Sequence, residues 1–289
     1  MTQTVFLNGD YVAAEDAKLS IFDRGLLFAD AVYEGFGILD GQIVDFEYHI
    51  DRLDRSLGQL SIPAPMTRDE LLVMLMTLIR ENAAEVGFLY LHITRGEGDR
   101  SYIYDDSYVP NMFAFIQREK FTPAEAPKLL EIKSVPDLRW ARRDIKTTNL
   151  LGQVMAKQTA YAAGADEALM VGDDGYVTEA GSSSFFFIKD RVLYVRPVSN
   201  AILHGITRQT MLRVAAEHQV QVKETFYTLD EAMAADEAFM TAASIYVAPV
   251  VKIDGQQIGD GSAGPITMAL RAAYITKARE EFPELPDEK

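Results

Sequence analysis

The sequence predicts an α+β fold of two domains, on three observations. Strand-like runs and amphipathic helices are interleaved without the regular strand–helix–strand rhythm of a doubly wound sheet. Two-residue turn signals, Asn8-Gly9 and Asp40-Gly41, join short apolar runs into hairpins. The polar stretch from Arg118 to Lys128, with Pro123 and Pro127, has almost no apolar periodicity and reads as a linker. The expected division is 1–118, a linker at 119–128, and 129–289.

Taken in order, residues 4–7 and 11–13 are expected as strands about Asn8-Gly9, and 36–39 and 42–46 as strands about Asp40-Gly41. Ile50, Leu53, Leu57 and Leu60 then mark one face of a helix. A second helix starts at Thr67, where Thr67 and Glu70 make a capping box before Leu71-Leu72-Val73-Met74. Strands are expected at 88–94, 112–117 and 129–133. A helix over about 149–163 is closed by Gly164. Strands 167–171 and 176–179 flank Gly172-Asp173-Asp174-Gly175, and 185–188 and 192–195 make another hairpin. A helix at 207–218, a strand at 237–241 and a helix from about 265 to 282 complete the chain.

The 289 residues, 48% hydrophobic, suffice for a sizeable core. The absence of cysteine excludes disulfides and thiolate metal sites. His49, His92, His204 and His218 are scattered, with no pair at metal-ligand spacing; His49 and His218 read as surface or packing residues of helices. A net charge of −15 repels phosphate backbones, so nucleic acid is not an expected partner. The N-terminus lacks a signal-peptide pattern, and no apolar run approaches the roughly 18 residues of a membrane span, so the expected location is cytoplasmic.

Several segments have the residue types for chemistry on a cofactor carbonyl. Lys146 follows apolar Ile145 beside two threonines and just before a helix. Most lysines are merely solvated, but one withdrawn from water can attack a carbonyl. Glu179 ends an apolar strand; the ordinary reading is a solvent-facing edge residue, and the alternative is a carboxylate that keeps a pyridine nitrogen protonated. The small residues that follow, Ala180-Gly181-Ser182-Ser183-Ser184, run straight into Phe185-Phe186-Phe187 and so favour a structured turn over a flexible loop. In Gly205-Ile206-Thr207-Arg208, Thr207 is placed as an N-cap, and the N–H groups there suit a phosphate; a plain helix cap is the ordinary reading. Thr241-Ala242-Ala243-Ser244 ends a strand and could contribute from another side. Arg52 could serve a surface ion pair or clamp a phosphate, and Arg100 could be an exposed loop charge or capture a carboxylate.

Together and in this order, these segments resemble the fold type IV pyridoxal phosphate enzymes, and among them the D-amino acid transaminases. The likeness runs from Asp23-Arg24-Gly25 and Asp30-Ala31-Val32-Tyr33-Glu34 through Arg139-Trp140, Asp144-Ile145-Lys146 and Asn149-Leu150-Leu151-Gly152. It continues through Thr178-Glu179 and Gly205-Ile206-Thr207-Arg208 to Phe239-Met240-Thr241. The resemblance implies a small N-terminal α/β domain and a larger C-terminal domain with a β-barrel-like core. It implies pyridoxal 5′-phosphate joined to Lys146, which also moves the substrate proton, with Glu179 on the pyridine nitrogen. Arg52, Ile206, Thr207, Thr241 and Ala242 would hold the phosphate, Leu203 would pack on the ring, and Tyr33 would line the substrate pocket.

In that family an arginine and a histidine two positions apart, on a loop of the neighbouring subunit, grip the substrate carboxylate. Arg100 matches the arginine and Tyr102 stands in the histidine's place; a phenol donates one hydrogen bond and no positive charge. Ser184 likewise stands where the family has asparagine. The implied reaction passes an amino group from a D-amino acid such as D-alanine to a 2-oxo acid, in a homodimer with its active site at the interface. The alternatives are an (R)-selective amine transaminase or dual-activity enzyme, a branched-chain L-amino acid transaminase, and an aminodeoxychorismate lyase.

Overall fold

Two sheets, each with its own helices, make up the protein in a computed structural model that describes residues 3–118 and 126–286. Residues 119–125 of the expected linker lie outside the described residues. The described chain divides into two compact units. The first takes the described residues of Met1–Phe121 and Glu281–Lys289 together with the segment Ile145–Asn149; the second takes those of Thr122–Asp144 and Leu150–Glu280.

In the first unit, β1 (Thr4–Leu7) and β2 (Asp10–Ala13) form the expected hairpin. Asn8 and Gly9, at φ 48° and 106°, supply the two left-handed positions that a tight turn requires. A short helix α1 (Arg24–Phe28) follows; Asp23 caps it by accepting the N–H of Gly25. At five residues it has too little periodicity to be read from sequence. β3 (Ala31–Leu39) is longer than expected, because alternation continues back through Val32, Glu34 and Phe36, all fully buried. β4 (Gln42–Ile43) is shorter than expected: Asp45 turns left-handed at φ 57° and Phe46 already starts the next helix.

That helix, α2 (Phe46–Leu60), and α3 (Arg68–Glu81), opened by the expected Thr67–Glu70 capping box, pack on one face of the sheet. With β5 (Val86–Thr94) and β6 (Met112–Arg118) the strand order is β2-β1-β6-β5-β3-β4, antiparallel throughout. Ile50, Leu53 and Leu57 of α2 are buried there with Phe36, Leu89, Leu91 and Ile93, each side chain stabilising by about 1.5–3 kcal/mol. The segment Ile145–Asn149 lies along the start of β3. Tyr33 donates its N–H to the Lys146 carbonyl at 3.0 Å, and Thr148 donates to Ala31 at 3.1 Å.

The second unit contains β7 (Leu130–Pro136), α4 (Leu151–Ala162), β8 (Glu167–Val171), β9 (Val177–Ala180), β10 (Ser184–Lys189) and β11 (Val192–Val195). After these come α5 (Ile206–Glu217), β12 (Val222–Glu224), α6 (Leu229–Met233), β13 (Glu237–Ala242), β14 (Tyr246–Ile253), β15 (Gln256–Gln257) and α7 (Pro265–Glu280). β12, α6, β14 and β15 are additions to the sequence reading. Signals for two of them are present: Thr228 and Glu231 make a capping box for α6, and Val247–Val251 is apolar shortly before the Asp254-Gly255 turn. α4 packs Ala156 and Ala160 onto Val135, Ala168 and Met170 of β7 and β8.

The sheet order is β12-β11-β10-β13-β14-β7-β8-β9, with β15 paired to β14. Five strand-to-strand steps separate β10 from β9, about 24 Å in a flat sheet. Yet only Gly181, Ser182 and Ser183 join them, a link that spans at most about 14 Å. The sheet therefore curls back on itself into a barrel-like core, lined by Leu169, Val177, Phe185, Met240 and Ala248. The α+β class and the curled second sheet agree with the expectation.

No helix among the described residues is long and apolar enough to cross a membrane, and no group of three or more metal-ligating side chains occurs among them. One glycine bears directly on the loop after β5. Gly96 has φ +104°, and a Cβ there would lie 1.9 Å from the Val109 carbonyl oxygen. We expect Gly96→Ala to destabilise the protein by at least about 1 kcal/mol, read as a lower urea midpoint; an unchanged midpoint would show that the loop tolerates a side chain there.

Candidate functional site

Lys146 is held by its backbone on both sides. Its carbonyl accepts from Tyr33, and its N–H donates to Ser56 Oγ at 3.3 Å. Its amine lies 4.2 Å from the centre of the Tyr33 ring, which stacks on Tyr90 at 5.3 Å. Tyr90 OH in turn meets His92 Nδ1 at 3.0 Å, and burial pushes His92 down to about 4. The half-buried Lys146 amine thus has an aromatic face beside it.

Arg52 is no surface residue. Glu34 projects from β3 onto the core face, where an unpaired carboxylate would be costly. Arg52 donates to both its oxygens, Nε to Oε1 at 2.8 Å and Nη2 to Oε2 at 2.7 Å. His49 Nδ1 is 2.7 Å from Oε2 and carries the proton, since a carboxylate only accepts. Burial opposes ionisation of Glu34, but the charge and hydrogen bonds of Arg52, then His49, outweigh it and hold the carboxyl far below its usual range. His49, read as a packing residue, thereby has a specific partner. The alternation of β3 could have signalled Glu34 as buried; nothing local pointed to His49.

The loop carrying Arg100 and Tyr102 is tied from behind. Arg95, buried, donates to both oxygens of Asp30 and to the carbonyls of Leu60 and Ser61 at the end of α2. Arg24, also buried, donates Nε to Asp30 at 2.8 Å and Nη1 to the Ser101 carbonyl at 2.6 Å. Burial would raise the Asp30 carboxyl, but the hydrogen bonds from Arg95 and Arg24 keep it lowered. Phe28 of α1 touches both arginines: its ring centre is 4.9 Å from Arg24 Cζ and 5.5 Å from Arg100 Cζ, and 5.4 Å from the Tyr102 ring. Arg100 and Tyr102 themselves stand exposed.

In the second unit, Glu179 is buried at the end of β9 rather than solvent-facing. Its Oε1 accepts from Arg139 Nη1 and from the Leu203 N–H at 3.0 Å. Arg139 commits Nε and Nη2 to Asp137, so one guanidinium serves two carboxylates. Burial would raise Asp137, but Arg139 and Thr178 hold it below its usual value. Burial pushes Glu179 up, and the Arg139 charge and the Leu203 N–H do not reverse it. Arg139 and Asp137 as partners escaped the sequence reading; their only local sign is a charged pair two residues apart between apolar segments.

The serine turn is structured. Lys157 Nζ donates to Glu167 at 2.7 Å and to Ser182 Oγ at 2.9 Å, while Ala180 donates to the Ser183 carbonyl. Thr207 is not the N-cap of α5. Gly205, extended at φ −63° and ψ 132°, takes that position, and Thr207 lies inside the first turn. A Cβ on Gly205 would be 2.7 Å from Ser184 Oγ, and Ser184 pairs in register with Thr241. The start of α5, with the first-turn N–H groups of Ile206 and Thr207, thus lies beside Thr241 and Ala242.

These residues fit pyridoxal 5′-phosphate. Thr241 Oγ1 is buried without a hydrogen-bond partner among the described residues, next to a helix N-terminus suited to an anion. Glu179 Oε2 has no hydrogen bond among them and is free to accept from a pyridine N–H.

The sequence profile of the amino-transferase class IV family matches residues 31–253. The D-alanine aminotransferase of Staphylococcus epidermidis is 36% identical over 271 residues, 93% of this chain and 96% of that protein. That of Listeria monocytogenes is 35% identical over 286 residues, covering 97% and 98%. A solved T.th. branched-chain amino acid aminotransferase with pyridoxamine 5′-phosphate is 28% identical, with a TM-score of 0.88 over 99% of this chain and 97% of that one. The Escherichia coli branched-chain enzyme, 24% identical, matches in fold with a TM-score of 0.88 over 96% and 95%.

Glu179 makes a sharp pH prediction. With its folded value raised above the ordinary 4.5, the folded, cofactor-free protein binds more protons than the unfolded chain above that pH. The stabilisation from protonated Glu179 is complete below 4.5 and is lost as pH rises through the raised value. Thermal melting of cofactor-free protein should show this loss, and Glu179→Gln should flatten it. Pyridoxal phosphate should restore stability to the wild type at neutral pH. A profile unaltered by Glu179→Gln would remove the carboxyl as its source.

Proposed function

The chain belongs to the amino-transferase class IV family, and we propose that it passes the amino group of a D-amino acid such as D-alanine to a 2-oxo acid. The observation that carries the D-amino acid reading is the Arg100 loop. An exposed guanidinium, set between Phe28 and Tyr102 and anchored through Ser101, is suited to an α-carboxylate. The relatives at 36% and 35% identity described above, which span nearly the whole chain, are D-alanine aminotransferases.

Pyridoxal 5′-phosphate, when bound, supplies an electrophilic aldehyde and a ring that draws electrons from the substrate Cα. Lys146 Nζ would be the amine that joins it, and as a free amine would be the base that moves the Cα proton. Glu179 Oε2 would accept from the pyridine N–H and keep that nitrogen protonated. Leu203, whose N–H donates to Glu179 Oε1, would pack on the ring. Thr241 and Ala242, the N–H groups of Ile206 and Thr207, and Arg52 would hold the phosphate; pairing with Glu34 keeps the Arg52 guanidinium in one orientation. Tyr33 lines the substrate pocket beside the Lys146 amine.

We place the enzyme in the cytoplasm as a homodimer in which Arg100 and Tyr102 reach the substrate of the neighbouring subunit. Support comes from the apolar side chains around that loop: Ile21 and Leu26 are each 71% exposed, Tyr102 76% and Ile103 79%. A second reading, an (R)-selective amine transaminase or a dual-activity enzyme, is favoured by Tyr102, which contributes no cation where the family places histidine.

A donor panel decides between them. Conversion of the bound cofactor's visible band by D-alanine supports the first reading, whereas conversion by (R)-1-phenylethylamine alone supports the second. Conversion by L-leucine alone would replace both with a branched-chain activity. Arg100→Ala should raise KM for D-alanine roughly tenfold to a hundredfold and leave a neutral amine nearly unaffected; equal effects would remove the carboxylate role. At D-alanine well below KM, where Arg100→Ala alone is nearly inactive, co-expression of Lys146→Ala with Arg100→Ala should recover about a quarter of the wild-type rate, because each mixed dimer keeps one intact site. No recovery in isolated mixed dimers would show that Arg100 acts within its own subunit.

A further inference from the structure

Arg271 of α7 is 1% exposed, among the largest fully buried side chains of the protein. Its Nη1 donates to two backbone carbonyls, Ile245 at 3.0 Å and Val247 at 2.6 Å. Between them lies Tyr246, a bulky residue in the left-handed conformation at φ 57°. Such a backbone persists where its surroundings over-determine it. Here they do so twice. The guanidinium grips the carbonyls on either side, and the Tyr246 ring packs at 5.9 Å on Tyr274, one helical turn beyond Arg271 and fully buried. α7 is itself fixed at its start, where Glu237 of β13 accepts the N–H groups of Ile266 and Thr267 and the Thr267 hydroxyl.

The strained position closes the turn between β13 and β14. That turn begins at Ala242, whose carbonyl accepts the Ile245 N–H at 3.2 Å, directly after Thr241 with its unpartnered hydroxyl. We propose that Arg271 is a positioning residue for the cofactor phosphate: by clamping the carbonyls of Ile245 and Val247 it sets the turn that presents Thr241 and Ala242 to the anion. The proposal rests on the assignment of Thr241 and Ala242 to the phosphate. A buried cation is suited to this task because it satisfies two carbonyls from one nitrogen, and its positive charge adds to the field felt by an anion at the turn.

The test is equilibrium dialysis of the full-length protein against pyridoxal phosphate and, separately, against pyridoxal, which lacks the phosphate, with bound cofactor read by its visible absorbance. Arg271→Gln should raise Kd for pyridoxal phosphate about tenfold and change that for pyridoxal by less than about twofold. Arg271→Lys, which keeps the charge but not the reach of the guanidinium, should fall between; it decides by the same ratio if the glutamine variant does not fold. A general loosening of the fold would weaken both ligands alike, and that result overturns the proposal. So does a variant that keeps the wild-type preference for the phosphorylated ligand. A wild type without that preference overturns the phosphate assignment itself, and the positioning role with it. The donor panel tests a separate matter, since ligand discrimination by phosphate does not depend on which amine is the substrate.

Discussion

Three residues, Gly181 to Ser183, join two strands that lie five steps apart in their sheet, and much of the second unit follows from that constraint. The sheet must curl, because the link cannot span its flattened width. Curling brings the end of β9, where Glu179 is buried, next to the start of β10. From there Ser184 leads in register to Thr241 and over to the start of α5, while Leu203 reaches back to Glu179. A buried carboxylate and a turn with an unpartnered hydroxyl, far apart along the chain, come to belong to one rim. The turn is small because it must be: a Cβ on Gly181 would meet Glu167 and Lys157, the pair that pins Ser182.

Charge withdrawn from water is handled differently at three places, and the contrast is informative. Asp30, partly buried, and Glu34, fully buried, each receive bidentate arginine contacts plus further donors, and both carboxyls are held below their usual range. Leaving Glu34 unpaired would cost several kcal/mol, roughly 3–5, which is why it has a full set of partners. Glu179 differs. It shares Arg139 with Asp137 and takes only the smaller part, so burial prevails and its carboxyl is raised. Incomplete compensation at a buried acid in this position is consistent with its proposed role toward a bound ring nitrogen.

The loop that carries Arg100 gains its order from residues behind it. Arg24 and Arg95 converge on Asp30, which immediately precedes the strand bearing Tyr33 and Glu34. The cation of Arg95 also lies 3.5 Å from the Tyr104 ring centre, so the loop is gripped through its backbone at Ser101 and through its aromatic side chains. Phe28 then divides its ring between an interior arginine and an exposed one. Rigid support behind an exposed guanidinium lowers the entropy lost when a carboxylate binds.

The sequence by itself determined the features that depend on local chemistry. These include the Asn8-Gly9 hairpin, the Thr67 capping box, the apolar face of α2, the α+β class, and the order of segments that resembles one enzyme family. It placed Lys146 and Glu179 as candidates because their neighbours, small residues and hydroxyls at an element's end, are unusual for solvated charges. It erred where a choice depends on distant contacts. Thr207 looks like a cap, yet Gly205 holds that position; the strand after Gly41 stops early because Asp45 turns left-handed. Only the tertiary structure decided that Arg52 pairs with Glu34, that Arg139 is divided between two acids, and that Arg271 braces a strained turn. The physical reason is common to all three. Each is a buried charge with at least one partner distant in sequence, and desolvation, which makes that partner obligatory, exists only once the chain has folded around it.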